Sequence, residues 1–378
     1  MAEGTLSLAK AEPRTLAATH TSTRGRIPTL DGLRAIAILL VILGHLTGTR
    51  NYPAAMGFLG EFANFGVRVF FVLSGFLITS LLLKELAKTG DVSLQDFYLR
   101  RVYRIFPAFY VYFILVATLS LLSIVHLGQH DLAYAFVYLI NFHFPHSWYV
   151  AHLWSLSVEE QFYLLWPAVI ALFTRKTAIR VAAAVMFLAP IFRVAFYYFI
   201  PGLREGVGQM FPTIADALAV GCLLALCRDW LHRRTWYLKL VAPRMFWLLI
   251  LIAVAGNVAQ EHPRIALPLG ESIMDVTLAL IIDHCMLFSA GIVGNILEWK
   301  PIAFVGVLSY SLYIWQQPFL NRASDQVWTR FPLNVICVCA AAFASYYLVE
   351  RPFLRLKETL HTRRLVALTP SSLGTTNA

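Results

Sequence analysis

Long apolar runs recur along nearly the whole chain, and they are separated by short loops that carry most of the charge. A helix needs about 20 mostly apolar residues to cross the hydrocarbon core of a bilayer. Runs of this length predict an all-α, polytopic membrane protein with about ten transmembrane helices. The ten predicted spans are residues 29–48, 64–86, 105–126, 152–173, 178–200, 211–228, 244–259, 272–292, 301–320 and 332–349.

The composition fits a surface that faces lipid, because 58% of the 378 residues are hydrophobic and only 14% are charged. Soluble domains carry about 25% charged residues. The formal net charge is +10, and the basic residues cluster in loops between apolar runs. This is the positive-inside pattern of a membrane protein rather than a nucleic-acid-binding surface. The five cysteines all lie in apolar runs without metal-ligand spacing, so we expect neither disulfides nor a metal site.

A further apolar stretch, residues 134–144, is only about eleven residues long. If it crossed the membrane, the basic loop 174–180 and the basic segment 228–244 would face outside. If it does not cross, both face the cytoplasm together with the other basic loops, as the positive-inside rule requires. We therefore predict that 134–144 is re-entrant or interfacial and that both termini are cytoplasmic.

The two ends of the chain differ in composition from the rest. Residues 1–27 are polar and contain no apolar signal-peptide core, so we expect a disordered cytoplasmic tail. Residues 354–378 are predicted to form a second cytoplasmic tail. Residues 28–353 are predicted to form one membrane domain, since neither a fixed-period repeat nor a linker interrupts them.

The first predicted span carries two ionisable residues, Arg34 and His45, eleven positions apart. At about 100° per residue they lie within about 20° of the same helix face, and about 16 Å apart along the axis. A histidine deep in a membrane suits a general base, and an arginine near the cytoplasmic end suits a phosphate-bearing ligand. The alternative is a snorkelling arginine with a structural histidine bonded to another helix.

A second basic motif, residues 97–107, places Arg101 and Arg104 at the start of the third span. Residues three apart face the same way on a helix. Two guanidinium groups suit the diphosphate of a ligand such as coenzyme A. The alternative is a topology anchor, for which positive charge alone is sufficient.

The fourth span contains two carboxylates, Glu159 and Glu160, inside an apolar stretch. Glu159 lies within about 20° of His152 on a helical wheel, and Ser155 shares that face, whereas Glu160 lies about 80° away. A buried carboxylate can orient an imidazole or act as an acid or base itself. The alternative is a role in helix capping and packing.

Other ionisable residues lie in predicted spans. Arg193 and Asp216 are expected to form an ion pair between helices. No role is assigned to Arg68, Asp275, Asp283 and His284. The last three of these are expected near span ends.

Two polar patterns outside the spans are weak signals. His126 and Asp131 match a histidine-x4-aspartate pattern of soluble acyltransferases, but short patterns arise by chance and the predicted topology places this loop outside. His143, His146 and His152 lack the spacing of metal ligands. We assign neither pattern a function.

Six segments carry a family resemblance: LDGLRAIA at 30–37 with His45, GVRVFFVLSGFLI at 66–78, RVYRIFP at 101–107, WSLSVEEQFY at 154–163, SYSLYIWQQP at 309–318 and VERPF at 349–353. Together and in this order they resemble the acyltransferase 3 family, bacterial integral membrane O-acyltransferases of surface and secreted glycans, related lipids and some macrolides. The resemblance covers about residues 28–353. It implies ten spans, as the loop charges indicated independently.

The resemblance implies an O-acyltransferase of the bacterial cytoplasmic membrane that moves an acyl group, acetyl in our interpretation, from acyl-CoA to a hydroxyl of a glycan, glycolipid or glycosylated metabolite. It implies catalytic roles for His45, Glu159 and Arg34, and acyl-CoA binding by Arg34, Arg101 and Arg104. Acyl-CoA is a co-substrate, and no permanently bound cofactor or metal is expected. General-base activation by His45 is the preferred mechanism, and an acyl-His45 relay is the alternative.

The sequence departs from the family pattern at two positions. Ile214 stands where many members carry an arginine, two residues before Asp216. Gln316 stands where many carry a histidine, so we expect no catalytic role there.

Two other functions are open at this point. A transporter or flippase for a lipid-linked glycan would show inverted repeats and broken helices, and the sequence shows neither. A non-catalytic assembly subunit would not depend on His45.

Overall fold

The computed structural model describes residues 27–357 and Thr359, and this part of the chain contains helices and turns but no strand. The predicted all-α fold is therefore confirmed. Both predicted tails lie mostly outside the described residues, while residues 351–357 continue the last helix. The long helices are α1 (Pro28–Leu46), α2 (Phe62–Thr89), α3 (Leu94–Leu121), α4 (Leu153–Leu172), α5 (Arg175–Phe199), α6 (Phe211–Leu231), α7 (Phe246–Val258), α8 (Glu271–Leu287), α9 (Lys300–Trp315) and α10 (Leu333–Ser345).

Each predicted span overlaps one of these helices. Within the described residues, eight helical stretches are long and apolar enough to cross a membrane by length and composition. The two helices outside this set are α9, with 16 residues, and α4, which carries Glu159 and Glu160. Both are also the helices that contribute many of the polar side chains described below. The chain is a polytopic membrane protein.

The short apolar stretch 134–144 forms no long helix, as predicted. It contains the end of a short helix, Asp131–Phe136, and a single turn, Ile140–Phe142. The buried Asp131 carboxylate accepts hydrogen bonds from the backbone N–H groups of Gly128 (2.8 Å) and Ser147 (3.0 Å). Its other oxygen lies 3.3 Å from His143 Nε2. Asp131 thus holds this loop together, which is a structural explanation of the histidine-x4-aspartate pattern.

Local sequence sets the ends of the helices that carry the basic motif. Ser93 caps the start of α3, where its hydroxyl accepts the N–H of Asp96 at 3.3 Å. The preceding helix α2 ends at Gly90, which has a left-handed φ of 78° that favours glycine. The short turn between these two caps places Arg101 and Arg104 in the first turns of α3.

Close helix packing depends on glycines, as is common between membrane helices. A Cβ on Gly75 of α2 would lie 2.0 Å from the Leu218 carbonyl oxygen of α6. A Cβ on Gly221 of α6 would lie 2.1 Å from the Val72 carbonyl oxygen of α2. The two backbones therefore touch on both sides of this interface. On the other side of the bundle, α1 packs between α2 and α9.

A buried ionic network links α2, α5, α6 and α8. Arg193 donates to both carboxylate oxygens of Asp216, at 3.0 and 2.7 Å, which confirms the expected pair. Arg68 donates to Asp275 at 2.6 Å and pairs with Glu271. These three acids are almost wholly buried with the two arginines. Asp275 was given no role from the sequence, and the structure pairs it with Arg68.

A second buried acid, Asp283 of α8, collects three donors from α6 and the loop that follows it. They are Arg228 Nε at 2.8 Å, His232 Nε2 at 2.8 Å and the Tyr237 hydroxyl at 2.7 Å. Burial, and then the charge of Asp283, raises the pKa of Tyr237, so its hydroxyl stays protonated and donates. Asp283 therefore attaches the basic loop 228–244 to the bundle.

The network predicts a large loss of stability for Arg193→Leu. Removing one partner leaves the buried Asp216 carboxylate unpaired, which costs about 3–5 kcal/mol. Thermal unfolding in detergent should show a clearly lower midpoint than for the wild-type protein. Arg204→Leu is the matched control, because Arg204 is exposed and its guanidinium contacts the carbonyl and the ring of the nearby Tyr197.

The double substitution Arg193→Leu with Asp216→Leu separates lost charge pairing from lost packing. It removes both charges, so it should recover part of the lost stability. Equal midpoints for Arg193→Leu and Arg204→Leu would show that the network does not stabilise the bundle.

Candidate active site

A cavity lies among α1, α2, α3, α4 and α9. Four of the five residues predicted for the site line it: Arg34, Arg101, Arg104 and Glu159. The other lining residues are Val67, Phe70, Phe71, Ser74, Ile105, Ser155, Leu156, Tyr163, Ser309, Tyr310 and Tyr313. The separate sequence motifs thus contribute to one site.

Three arginines gather at one end of this cavity, which we call the arginine end. Arg34 makes a local pair with Asp31 at 3.2 Å. The Arg101 guanidinium lies over the Tyr163 ring, 4.6 Å from its centre. Among the described residues, no carboxylate lies within salt-bridge distance of Arg101 or Arg104, in contrast to the paired Arg68 and Arg193. The arginine end therefore carries excess positive charge that suits an anionic ligand.

Glu159 projects into the cavity between the arginines and the middle of the bundle. Its carboxylate accepts a hydrogen bond of 2.5 Å from the Ser74 hydroxyl, and the Tyr163 hydroxyl in turn donates to Ser74 at 3.4 Å. The helix phase predicted for α4 is correct, because Ser155, Glu159 and Tyr163 line the cavity and Glu160 does not. Glu159 does not orient His152, however, since its bond is to Ser74.

Two hydroxyl groups close the cavity at the other side of Glu159. Ser155 Oγ lies 2.6 Å from the Tyr313 hydroxyl oxygen, and Tyr313 donates to the His152 carbonyl at 2.8 Å. The His152 Nε2–H group donates to the Ile314 carbonyl at 3.1 Å. This bonded layer ties α4 to α9 above the cavity.

His45 lies beyond that layer, near the end of α1, and it does not line the cavity. Its Nδ1 is 3.1 Å from Gln316 Oε1, and its ring packs edge-on against Trp148 with centroids 5.8 Å apart. Arg322 Nη2 donates to the adjacent Gly44 carbonyl at 3.0 Å. The structure therefore separates His45 from the other predicted residues, although they share one axis through the bundle. We call this region the histidine end.

The remaining histidines of interest are held by other contacts. His143 pairs with Asp131, and His146 Nε2 lies 3.0 Å from Gln209 Oε1. Within the part of the chain that the structure describes, no group of three or more His, Cys, Asp or Glu residues could hold a metal ion.

Sequence comparison agrees with this arrangement. The sequence profile of an acyltransferase domain matches residues 27–351. The chain belongs to the acyltransferase 3 family. The family that the motifs predicted is thereby confirmed.

Relatives of the chain within this acyltransferase family are longer proteins. Peptidoglycan O-acetyltransferase OatA of Listeria monocytogenes is 29% identical over 371 residues, covering 87% of this chain and 56% of that protein. O-acetyltransferase OatA of Staphylococcus aureus (strain NCTC 8325) is 29% identical over 363 residues, covering 86% and 57% respectively. The chain thus spans little more than half the length of these relatives. No solved structure matches it.

Four contact residues of this site were given no role from the sequence: Ser74, Tyr163, Tyr313 and Gln316. All lie within the family motifs, which was the available signal. Their roles depend on which atoms meet across helices, and a helical wheel of one helix cannot show this. Gln316 in particular contacts His45, although we expected no catalytic role at that position.

The geometry predicts that Glu159→Gln lowers acyl transfer by about 100-fold or more, the range usual for loss of an acid–base group. Only Glu159 faces the cavity, so Glu160→Gln is the matched control and should stay within a few-fold of wild type. Rates of acyl transfer would be measured on purified protein at equal amounts of folded enzyme. Equal losses in the two variants would contradict this assignment.

Proposed function

We propose that this acyltransferase moves an acetyl group from acetyl-CoA to a hydroxyl of a glycan at the membrane. The observation that supports the proposal best is the cavity with three arginines at one end and Glu159 in its middle. His45 lies further along the same axis, on the helix that carries Arg34. These positions match a donor that is anionic at one end and reactive at the other.

The arginine end suits the nucleotide part of the donor. Coenzyme A carries a diphosphate and a further phosphate, and guanidinium groups bind phosphate oxygens in bidentate geometry. Arg101 and Arg104 lack carboxylate partners in the described residues, so their donors are available.

The pantetheine arm would connect the two ends of the site. Arg34 and His45 are separated by about 16 Å along α1. An extended pantetheine covers such a distance while the nucleotide stays at the arginine end. The thioester would then pass the Ser155–Tyr313 layer and reach the imidazole.

The proposed chemistry is direct transfer assisted by a general base. His45 takes the proton of the acceptor hydroxyl, and the oxygen attacks the thioester carbonyl. The new ester bond forms as the carbon–sulfur bond breaks, and the coenzyme A thiolate leaves. The imidazolium then returns the proton to that thiolate. Glu159 would act as an acid or base on the donor side of the layer, where its carboxylate accepts a hydrogen bond from Ser74.

The acceptor is proposed from the relatives and from the topology. The two OatA proteins are named as O-acetyltransferases, the Listeria protein for peptidoglycan. A peptidoglycan-like glycan is therefore our proposed acceptor class. The positive-inside rule places the arginine end on the cytoplasmic side of a bacterial cytoplasmic membrane, where acetyl-CoA is made. The glycan would approach the histidine end from outside.

The two ends of the site predict different kinetic defects. His45→Ala should lower kcat by about 100- to 10,000-fold, because it removes the base. Arg104→Ala should mainly raise the KM for acetyl-CoA, by about 10-fold or more for a lost charge-assisted hydrogen bond. Arg100→Ala is the matched control, because Arg100 pairs with Glu85 at 2.9 Å and does not line the cavity. Unchanged donor KM in Arg104→Ala would contradict the donor site.

The two-sided arrangement predicts a strict dependence on where each substrate is placed. Sealed vesicles of known orientation would receive acetyl-CoA on the arginine side and soluble peptidoglycan fragments on the other. We expect acetylated glycan in this arrangement and none when the two substrates are exchanged. Detergent-permeabilised vesicles serve as the control for active enzyme. Transfer only when both substrates share one side would refute the model.

A further inference from the structure

Gln316 is a buried polar residue whose side-chain amide contacts His45. It follows the last residue of α9 and is fully buried. Its Oε1 atom lies 3.1 Å from His45 Nδ1. Its Nε2 atom has no hydrogen-bond partner among the described residues. The neighbouring Gln317 is held differently, since its Nε2 group donates to the Trp148 carbonyl at 2.9 Å.

The unpartnered Nε2 group indicates that Gln316 does not serve to stabilise the fold. A buried amide donor without an acceptor costs free energy that an apolar side chain of similar size would not. The one side-chain bond that the structure gives Gln316 is the bond to His45. We therefore expect the amide at this position to act on the His45 imidazole through their hydrogen bond.

That bond determines which ring nitrogen carries the proton. An amide oxygen can only accept, so the neutral His45 ring must hold its proton on Nδ1 and donate it to Oε1. The lone pair is then on Nε2, at the far side of the ring. Trp148 packs against the same ring and restricts its rotation.

We propose that Gln316 is a positioning residue that fixes His45 in the Nδ1–H tautomer and leaves Nε2 as the base. The inference rests on the proposed role of His45. During transfer, Nε2 takes the hydroxyl proton and later returns it to the coenzyme A thiolate, while the Nδ1 proton stays on the ring and is donated to Gln316 Oε1. Arg322 is a charged group near the imidazole, and a neutral amide adds no second charge beside the ring.

Three variants test the proposal. Gln316→Leu removes the acceptor and should lower kcat by about 100-fold, with a KM for acetyl-CoA within about two-fold of wild type. Gln316→Glu keeps an acceptor at this position and should retain kcat within about ten-fold. Gln260→Leu is the matched control. It removes a hydrogen bond of 3.0 Å that Asn64 donates to Gln260, and because this bond lies away from the site, kcat should not change.

Stability distinguishes positioning from a structural role. Gln316→Leu removes an unpartnered buried donor but also takes the acceptor from the His45 Nδ1–H group, so its unfolding midpoint should stay close to that of wild type. A lower midpoint with loss of activity in both Gln316 variants would overturn the proposal in favour of a structural role. Full activity of Gln316→Leu would also overturn it.

The double variant His45→Ala with Gln316→Leu separates this proposal from the proposed function. If Gln316 acts through His45, the double variant should be no slower than His45→Ala alone. A further drop would show that Gln316 acts independently. An active His45→Ala enzyme would refute the base assignment itself, whereas an inactive one with active Gln316→Leu would refute only the positioning role.

Discussion

A charge buried inside a membrane must be neutralised by a partner or solvated by a ligand or water, and this constraint divides the bundle into two parts. Arg193 and Asp216 form a bidentate pair, and Arg68 is held by Glu271 and Asp275. On the other side of α2, Arg101 and Arg104 line a cavity without carboxylate partners among the described residues. Arg68 and Arg193 are thus neutralised by carboxylates of the protein, whereas the guanidinium groups of Arg101 and Arg104 have N–H donors available for a ligand.

Helix α2 contributes residues both to the buried ionic network and to the cavity. On α2, Arg68 turns toward α8, while Ser74 turns toward Glu159 and the cavity. Six residues correspond to a rotation of about 600°, which is about 120° short of two full turns, so the two side chains leave the helix on different faces. Gly75 then brings α6 into backbone contact. The rigid ionic side of the bundle thus supports the helix that positions the site.

Features that depend on local sequence could be predicted, whereas features that depend on contacts between helices could not. Hydropathy and loop charge are local properties, so the helices and the short stretch 134–144 were found from the sequence. Helix phase is also local, which is why Glu159 and Ser155 were correctly placed together and Glu160 apart. Contacts between helices depend on rotation and depth, and one sequence shows neither. The pairing of Asp275 with Arg68 and of Gln316 with His45 therefore required the structure.

The separation of His45 from the cavity has a chemical consequence for the proposed reaction. The proposal puts acetyl-CoA in the cavity, and water could hydrolyse this thioester if the base were within reach at all times. The layer formed by Ser155, Tyr313 and the His152 carbonyl keeps the imidazole apart from the donor cavity. Only hydrogen bonds of neutral groups hold this layer, and each contributes about 1 kcal/mol net. Binding of the pantetheine arm can replace them, so donor and base would meet when the donor is fully inserted, and the acceptor hydroxyl would then compete with little water.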